Sequence, residues 1–559
     1  MAKLKETILK HQCALAILGL LVMAALIVYN FFIVGKFSSY PWWHRNINDA
    51  DSSYVATAIG LLNNSRYTYI THPGATLCAW LGIVYYGMAA VDPAHRMIFN
   101  PPTMPDTTAI NTLLNMGVQT GRVAVLVFSL FFVVVLYLLI YRLVRKPLIS
   151  FLTCFYIVIS KAFLQHTYQI RDELFSLLFV LLAGIVFLKM FDKDKDRTVS
   201  LSRMIRAGVL VGCCLGFAVL SKIQIGPFIV FFIILVGTYL FFHAQDLRNK
   251  EIPGVCLCGL GVLNVLIMPW WTLWRPSFLT TEYLQQLHPL SDYKRVYGPA
   301  SLHFCYPVLI FLLLFLIVNI ALAVWPRLRQ ARLMRKAVPV FFFIQSIIAG
   351  FSLSVYLILI PLSRSWTMYI ENTRHVIYAT ISNVVYGGFL VNKTVGFKTV
   401  QQIFFFHGQY SRLLFINIFF LILPVLVIAL IHVFKSKTSR LRYVFVIGVL
   451  LLGLGMDVLG TFRWTFNLIA DYYAIYSILC YGLGLALWLA LSLTSDTRDK
   501  WQSFLAYFVI ALLVLHVGGQ HLFLFSLPPV STESTQDPWV EYETLYAHGQ
   551  PFWEIIQKK

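Results

Sequence analysis

Two carboxylates, Asp49 and Asp51, stand just ahead of Ser52-Ser53-Tyr54 in a segment reading WWHRNINDADSSYVATAIGLLNNSRYTYITHPGATLCAWLGIVYYGM. Tyr54, Ala58, Leu61 and Leu62 recur at helical spacing, so the acids sit at the mouth of a helix that closes at Asn63-Asn64. The turn Thr71-His72-Pro73-Gly74 then opens a second apolar helix. A carboxylate at such a place either caps the helix by accepting backbone N–H groups or takes a proton from a hydroxyl as a general base. Capping does not require an acid here, because Ser52 or Ser53 serves equally well. In an extended stretch the two acids point the same way, which does not suit the ~5–10 Å face-to-face carboxylate pair of a glycosidase. One base with a supporting acid fits better.

A second charged segment is Gln165-His166-Thr167-Tyr168-Gln169-Ile170-Arg171-Asp172-Glu173. Its structural reading is an Arg171–Asp172 anchor, but ionisable groups packed beside apolar spans are costly and mark function. Two acidic clusters with basic residues near both suit an anionic ligand or a cation. Asp49, Asp51, Asp172 and Glu173 offer oxygen ligands for Mg²⁺ or Mn²⁺, although nothing in the pattern commits the chain to a metal. His72, His166, His303 and His375 lack the HxxxH or HxxE spacing of a zinc site.

The elements that must position these groups follow from composition. Of 559 residues, 59% are hydrophobic and 12% charged, with a mean hydropathy of +0.74. So few charges cannot cover a soluble surface, and the expectation is an all-α polytopic membrane protein. The formal charge of +20 does not indicate nucleic acid, because Lys and Arg form short clusters between apolar runs. The nine cysteines fall mostly inside those runs and read as small core residues. Residues 12–34 lack a small-residue cleavage site and read as a retained first span.

About thirteen spans are expected, near 12–34, 121–141, 148–166, 173–190, 207–222, 225–243, 253–272, 304–325, 339–362, 413–434, 443–460, 471–493 and 503–525. With the N-terminus inside, seven short inner segments carry 25 of the 44 Lys and Arg residues. The expected topology is therefore N-in and C-out. Residues 376–391 read as an interfacial or re-entrant element, since a further span there would put the 435–442 basic cluster outside. The transmembrane domain is then 1–525, with outside segments at 35–120, 273–303 and 363–412 and a short outside tail at 526–559. These outside loops are rich in aromatic residues and His, which places the work at the outer face.

The order of these features resembles the GT-C superfamily of lipid-dependent glycosyltransferases, nearest to the protein O-mannosyltransferase and lipid A aminoarabinose transferase branch. That branch has an acid ahead of a Tyr-containing amphipathic helix and then a His-Pro or Lys-Pro turn, matched by Asp49/Asp51, Tyr54 and His72-Pro73-Gly74. It also has an acid in the next outside loop, matched by Asp172, and a glycine-rich span ending in Ser/Thr-Lys, matched by GVLVGCCLGFAVLSKIQ at 208–224. The likeness covers about the first 230 residues; beyond them it rests on topology. Two departures stand out: the usual Asp-Glu pair is Asp-Ala-Asp, and the tail is short.

The resemblance implies an inverting glycosyltransferase, hexosyl or pentosyl, that moves a sugar from a polyprenyl-phosphate donor to an acceptor hydroxyl on a glycan, lipid or protein. It implies catalysis by Asp51 or Asp49, with donor and phosphate contacts among Arg171, Asp172, Lys222, Arg463 and His72. Tyr54, Glu173 and Arg374 fall to the acceptor side or its loops. Lys222 could instead snorkel to the interface, and Arg463 could pair with Asp471. The implied setting is a bacterial inner membrane, with a cytoplasmic N-terminus and an extracytoplasmic site serving the cell envelope. A transporter or lipid flippase is the alternative, but it would carry midplane charges and paired broken helices. An O-antigen ligase or polymerase would rest on Arg364, Arg374 and Arg412.

Overall fold

A computed structural model describes residues 12–34, 51–63, 74–99, 107–191, 201–222, 225–243, 253–268, 300–325, 327–328, 331–361, 366, 369–370, 373, 422–435, 440–463, 474–494 and 508–509. Every regular element among them is helical. In chain order these are α1 (Gln12–Tyr29, running into a π turn Asn30–Val34), α2 (Asp51–Leu62), α3 (Ala75–Val91) and a 3₁₀ turn (Pro93–Phe99). They continue with α4 (Thr107–Val144), α5 (Pro147–Val158), α6 (Lys161–Gln165), α7 (Glu173–Phe191), α8 (Leu201–Ser221), α9 (Gly226–His243) and α10 (Gly254–Ile267). The last are α11 (Ala300–Val324), α12 (Arg332–Leu359), α13 (Leu423–Lys435), α14 (Arg440–Arg463) and α15 (Ala474–Thr494).

A helix lies in each expected span as far as 471–493, whereas 503–525 falls almost wholly outside the described residues. Among the described residues six helices are long and apolar enough to cross a membrane, which supports a polytopic all-α protein but not a count of thirteen spans. Two boundaries differ from expectation. The expected span 148–166 is broken, because Ser160 leaves the helix and its side chain caps α6 by accepting the Phe163 N–H at 3.2 Å. The expected span at 121 begins 14 residues earlier, because Leu113, Leu114 and Val118 bury one face of a helical extension. Within α4, Arg122 and Arg142 bracket 19 residues without a charge, about 28 Å of helix and close to a hydrocarbon core.

The chain divides into two compact units. The first comprises residues 1–47, 122–174 and 387–533. In it α1 and α15 both pack on α5, and α14 packs on α15. Phe132 and Phe163 meet at a centroid distance of 5.8 Å, and Trp488, Tyr476 and Tyr481 are fully enclosed. On α1 the side chains of Ile17, Leu18 and Leu21 stay exposed, as expected of a face turned to lipid.

The second unit comprises residues 48–121, 175–386 and 534–559, and its spine is the pair α8 and α12. Gly208, Gly212 and Gly216 recur every four residues on α8, opposite Ser346, Gly350 and Ser354 at the same spacing on α12. A Cβ on Gly212 would fall on the Ile347 carbonyl, and one on Gly350 on the Val209 carbonyl. Dispersion between close backbones drives such packing in lipid, where burial of apolar surface supplies nothing. Around the seam Phe187, Val211, Leu215, Phe342 and Phe343 form the core. Amides join two more helices, α10 and α11, to it. Asn319 and Gln345 exchange hydrogen bonds at 2.7 and 2.8 Å, and the Asn264 amide donates to the Gln345 carbonyl at 3.1 Å.

Candidate functional site

In the second unit the features singled out in the sequence come together at Gly74. This residue has φ +43°, in the left-handed region, where a side chain costs about 1–2 kcal/mol. The ring of Tyr54 occupies the space where a Gly74 Cβ would stand. Tyr54 is itself 1% exposed, so the aromatic residue one turn after Asp51 is packing wall rather than open surface. The Gly74 N–H donates to the carbonyl of Ser221 at 3.0 Å. The Ser221 hydroxyl donates to the Phe217 carbonyl at 2.8 Å, so its contact with Thr76 is received from the Thr76 hydroxyl. A glycine after Pro73 is thus required twice, by its φ and by the Tyr54 ring.

Lys222 follows directly, with its N–H bonded to the Ala218 carbonyl at 2.9 Å as the last turn of α8 closes. It is 3% exposed. A snorkelling lysine would lie along the surface, so the structure favours an enclosed ammonium over that reading. Its height is fixed by the small-residue seam, because α8 cannot slide on α12 while carbonyls fill the glycine positions.

In the first unit the segment 165–173 is a buried polar turn. Arg171 is 6% exposed, and His166, Asp172 and Glu173 are at 1% or less. The Arg171 guanidinium donates from Nε to Gln169 Oε1 at 3.2 Å and lies 3.6 Å from Glu173 Oε1. His166 Nδ1 meets the Ala162 carbonyl at 2.6 Å, while Nε2 lies 3.3 Å from Glu173 Oε2. From α1's π turn, Asn30 Nδ2 donates to Leu164 O and to Thr167 Oγ1, each at 3.1 Å. Glu173, expected on the acceptor side or in a loop, is here the acid to which both Arg171 and His166 turn.

Asp51 is the first described residue of α2 and is already helical, one position ahead of the expected start. Arg463 is the last described residue of α14. Asp49, His72 and Arg374 lie outside the described residues. Among the described residues no three His, Cys, Asp or Glu side chains are grouped to hold a metal.

Two further polar features escaped the sequence. Arg122 is 7% exposed at the head of α4's apolar stretch, and Gly121-Arg122 ahead of an uncharged run was the available signal. In the second unit, His95 Nδ1 meets Asp92 Oδ2 at 2.7 Å and its Nε2 meets Thr120 Oγ1 at 3.0 Å. The Asp92 carboxylate accepts the Nδ1 proton, and the contact of Nε2 with Thr120 clips the 3₁₀ turn to α4. The Ala94 N–H, and then His95, hold the Asp92 carboxyl below its ordinary range.

Residues 100–274 match the family model for dolichyl-phosphate-mannose-protein mannosyltransferases, a family of the GT-C superfamily. The match includes Arg171, Asp172, Glu173 and Lys222 and begins after Asp49, Asp51, Tyr54 and His72. No curated protein and no solved structure matches the chain.

Proposed function

We propose that this chain, whose residues 100–274 carry the GT-C glycosyltransferase match, is an inverting transferase taking its sugar from a polyprenyl-phosphate donor. The observation that carries the reading is the hydrogen bond from Gly74 to Ser221, with Tyr54 closed over it. It ties the helix that starts with Asp51, through the turn after His72-Pro73, to the end of the helix that presents Lys222. One fold element thus supports both a base and a cation.

In the proposed reaction an acceptor hydroxyl attacks the anomeric carbon from the face opposite the phosphate. Asp51 takes the hydroxyl proton as the new bond forms. The bond from the anomeric carbon to the phosphate oxygen breaks, and polyprenyl phosphate leaves with the electron pair. Within the second unit Lys222, and beyond the described residues Arg374, supply donors for the phosphate. Asp172 and Glu173 set the charge around Arg171. Asp49 and His72 orient acceptor and donor, and Tyr54 keeps the acid helix in place. A divalent cation, if bound by Asp49 and Asp51, would add positive charge for the phosphate.

The acceptor is a glycan, lipid or protein of the cell envelope, and the setting is a bacterial inner membrane with the site on its extracytoplasmic face. The test is transfer of labelled sugar from a synthetic polyprenyl-phosphate sugar by the purified chain in lipid nanodiscs. Transfer that needs Lys222 supports the reading. Translocation of the lipid without transfer would establish a flippase instead. Cysteine labelling at Ser534 from the outer side alone checks the topology, and labelling from the cytoplasmic side alone overturns it.

A further inference from the structure

We infer that Trp366 is the open end of an aromatic platform that takes the sugar ring of the donor, an assignment that rests on the lipid-linked donor reading above. Three rings stack in series about the end of α12. Trp366 lies on Tyr369 at a centroid distance of 5.0 Å with 21° between the planes, and Tyr369 lies on Tyr356 at 5.6 Å with 19°. Tyr356 belongs to the last turn of α12, and its hydroxyl donates to the Ile267 carbonyl of α10 at 2.6 Å. Tyr369 is 1% exposed, whereas Trp366 is 55% exposed. Packing and a hydrogen bond thus hold the inner rings, and the stack ends in an indole with open surface.

Helix direction puts this platform at the Lys222 end of the second unit. Gly208, Gly212 and Gly216 of α8 meet Ser346, Ile347 and Ser354 of α12 in the same chain order, so the two helices run parallel. Tyr356 follows Ser354 by two residues and Lys222 follows Gly216 by six, which separates their levels by about 6 Å along the axis. Trp366 stands two ring spacings from Tyr356. In the donor the phosphate is bonded directly to the sugar, so a phosphate held by Lys222 requires a sugar site close by. The C–H groups on one face of a pyranose carry slight positive charge and suit the negative face of an aromatic ring. A ring already fixed from behind loses little freedom on binding. An interfacial anchor needs only one indole among the headgroups and no rings behind it. A prenyl chain needs no platform either, because α11 already exposes Ile310, Leu314 and Ile317.

The test compares two compounds on the full chain in nanodiscs: short-chain polyprenyl-phosphate mannose and the same polyprenyl phosphate without sugar. Trp366→Leu should weaken binding of the first about tenfold, the order of one ring-stacking contact, and leave the second within about twofold. Trp366→Phe should recover most of the loss, and Trp366→Gln, a second variant without a ring, should repeat the contrast if the leucine disturbs the fold. Equal weakening of both compounds would assign the ring to the phosphate or the prenyl chain and overturn the inference. No weakening of either would make Trp366 an interfacial anchor and overturn it as well. Equal affinity of the unmodified chain for the two compounds would remove the sugar contact while leaving a lipid-phosphate site. Binding of neither compound would remove the donor reading itself, and the platform with it.

Discussion

The N–H of Gly74 lies 3.0 Å from the carbonyl of Ser221, and this contact joins the turn ahead of α3 to the end of α8. It leads directly to a mutational prediction. Gly74→Ala meets both the left-handed backbone, at about 1–2 kcal/mol, and the Tyr54 ring. Tyr54→Leu should relieve the second part only. The expected result is that Gly74→Ala lowers the melting temperature and that Gly74→Ala/Tyr54→Leu recovers part of the loss. A double variant no better than the sum of the two singles would show that the ring contact is unimportant.

The same contact shows what was legible beforehand. The Asp51–Tyr54 helix, the turn at Gly74 and the glycine-rich span were all readable, because apolar periodicity and Pro-Gly punctuation are local signals. That they meet was not readable, since a hydrogen bond between residues so far apart depends on how α8 is held. The break at Ser160 was missed because the apolar run continues through it and only a serine side chain ends the helix. The early start of α4 was missed because a polar-looking stretch hides Leu113, Leu114 and Val118 on one face. Glu173's role as partner to Arg171 and His166 depends on the fold of the turn, which no spacing rule states.

The α8–α12 seam should be intolerant of any added side chain. Gly212→Leu and Gly350→Leu place carbon on opposing carbonyls that cannot move aside without separating the helices. Each should cost ~3 kcal/mol or more and remove folded protein from detergent extracts. Gly87→Ala is the control, because no atom lies within 4 Å of a Cβ there. In mid-helix that change should be neutral or stabilise by about 0.5–1 kcal/mol. Equal loss of fold from Gly87→Ala and Gly212→Leu would remove the seam as the cause.

Asp92 gives a pH signature with a defined sign. Its carboxyl is held below its ordinary range by the Ala94 N–H and by His95, so the ionised form favours the folded turn. That contribution is present above the unfolded value near ~3.9 and is lost as pH falls through the lower folded value. Asp92→Ala should therefore melt slightly below the unmodified chain at neutral pH, and the gap should close only in strong acid. The carboxylate is solvent-exposed, so the gap should be small. A gap that widens as pH falls below about 4 contradicts the assignment.

The base itself is the sharpest prediction. Asp51 lies at the start of α2, three residues ahead of the buried Tyr54, whereas Asp49 lies five ahead. Helix N-termini favour negative charge through the dipole and the unbonded N–H groups, which keeps a carboxylate there ionised and able to accept a proton. Tyr54, one turn further on, packs against Gly74. Asp51→Asn preserves size and much of the capping ability while removing the charged oxygen. It should lower turnover ~10²-fold or more with donor binding and melting temperature nearly unchanged. Asp49→Asn should change the acceptor KM more than turnover. A dead Asp49→Asn beside an active Asp51→Asn would exchange the two roles. Near-normal transfer by both variants would remove general-base catalysis by this loop altogether, and with it the mechanism in which α2 presents the base.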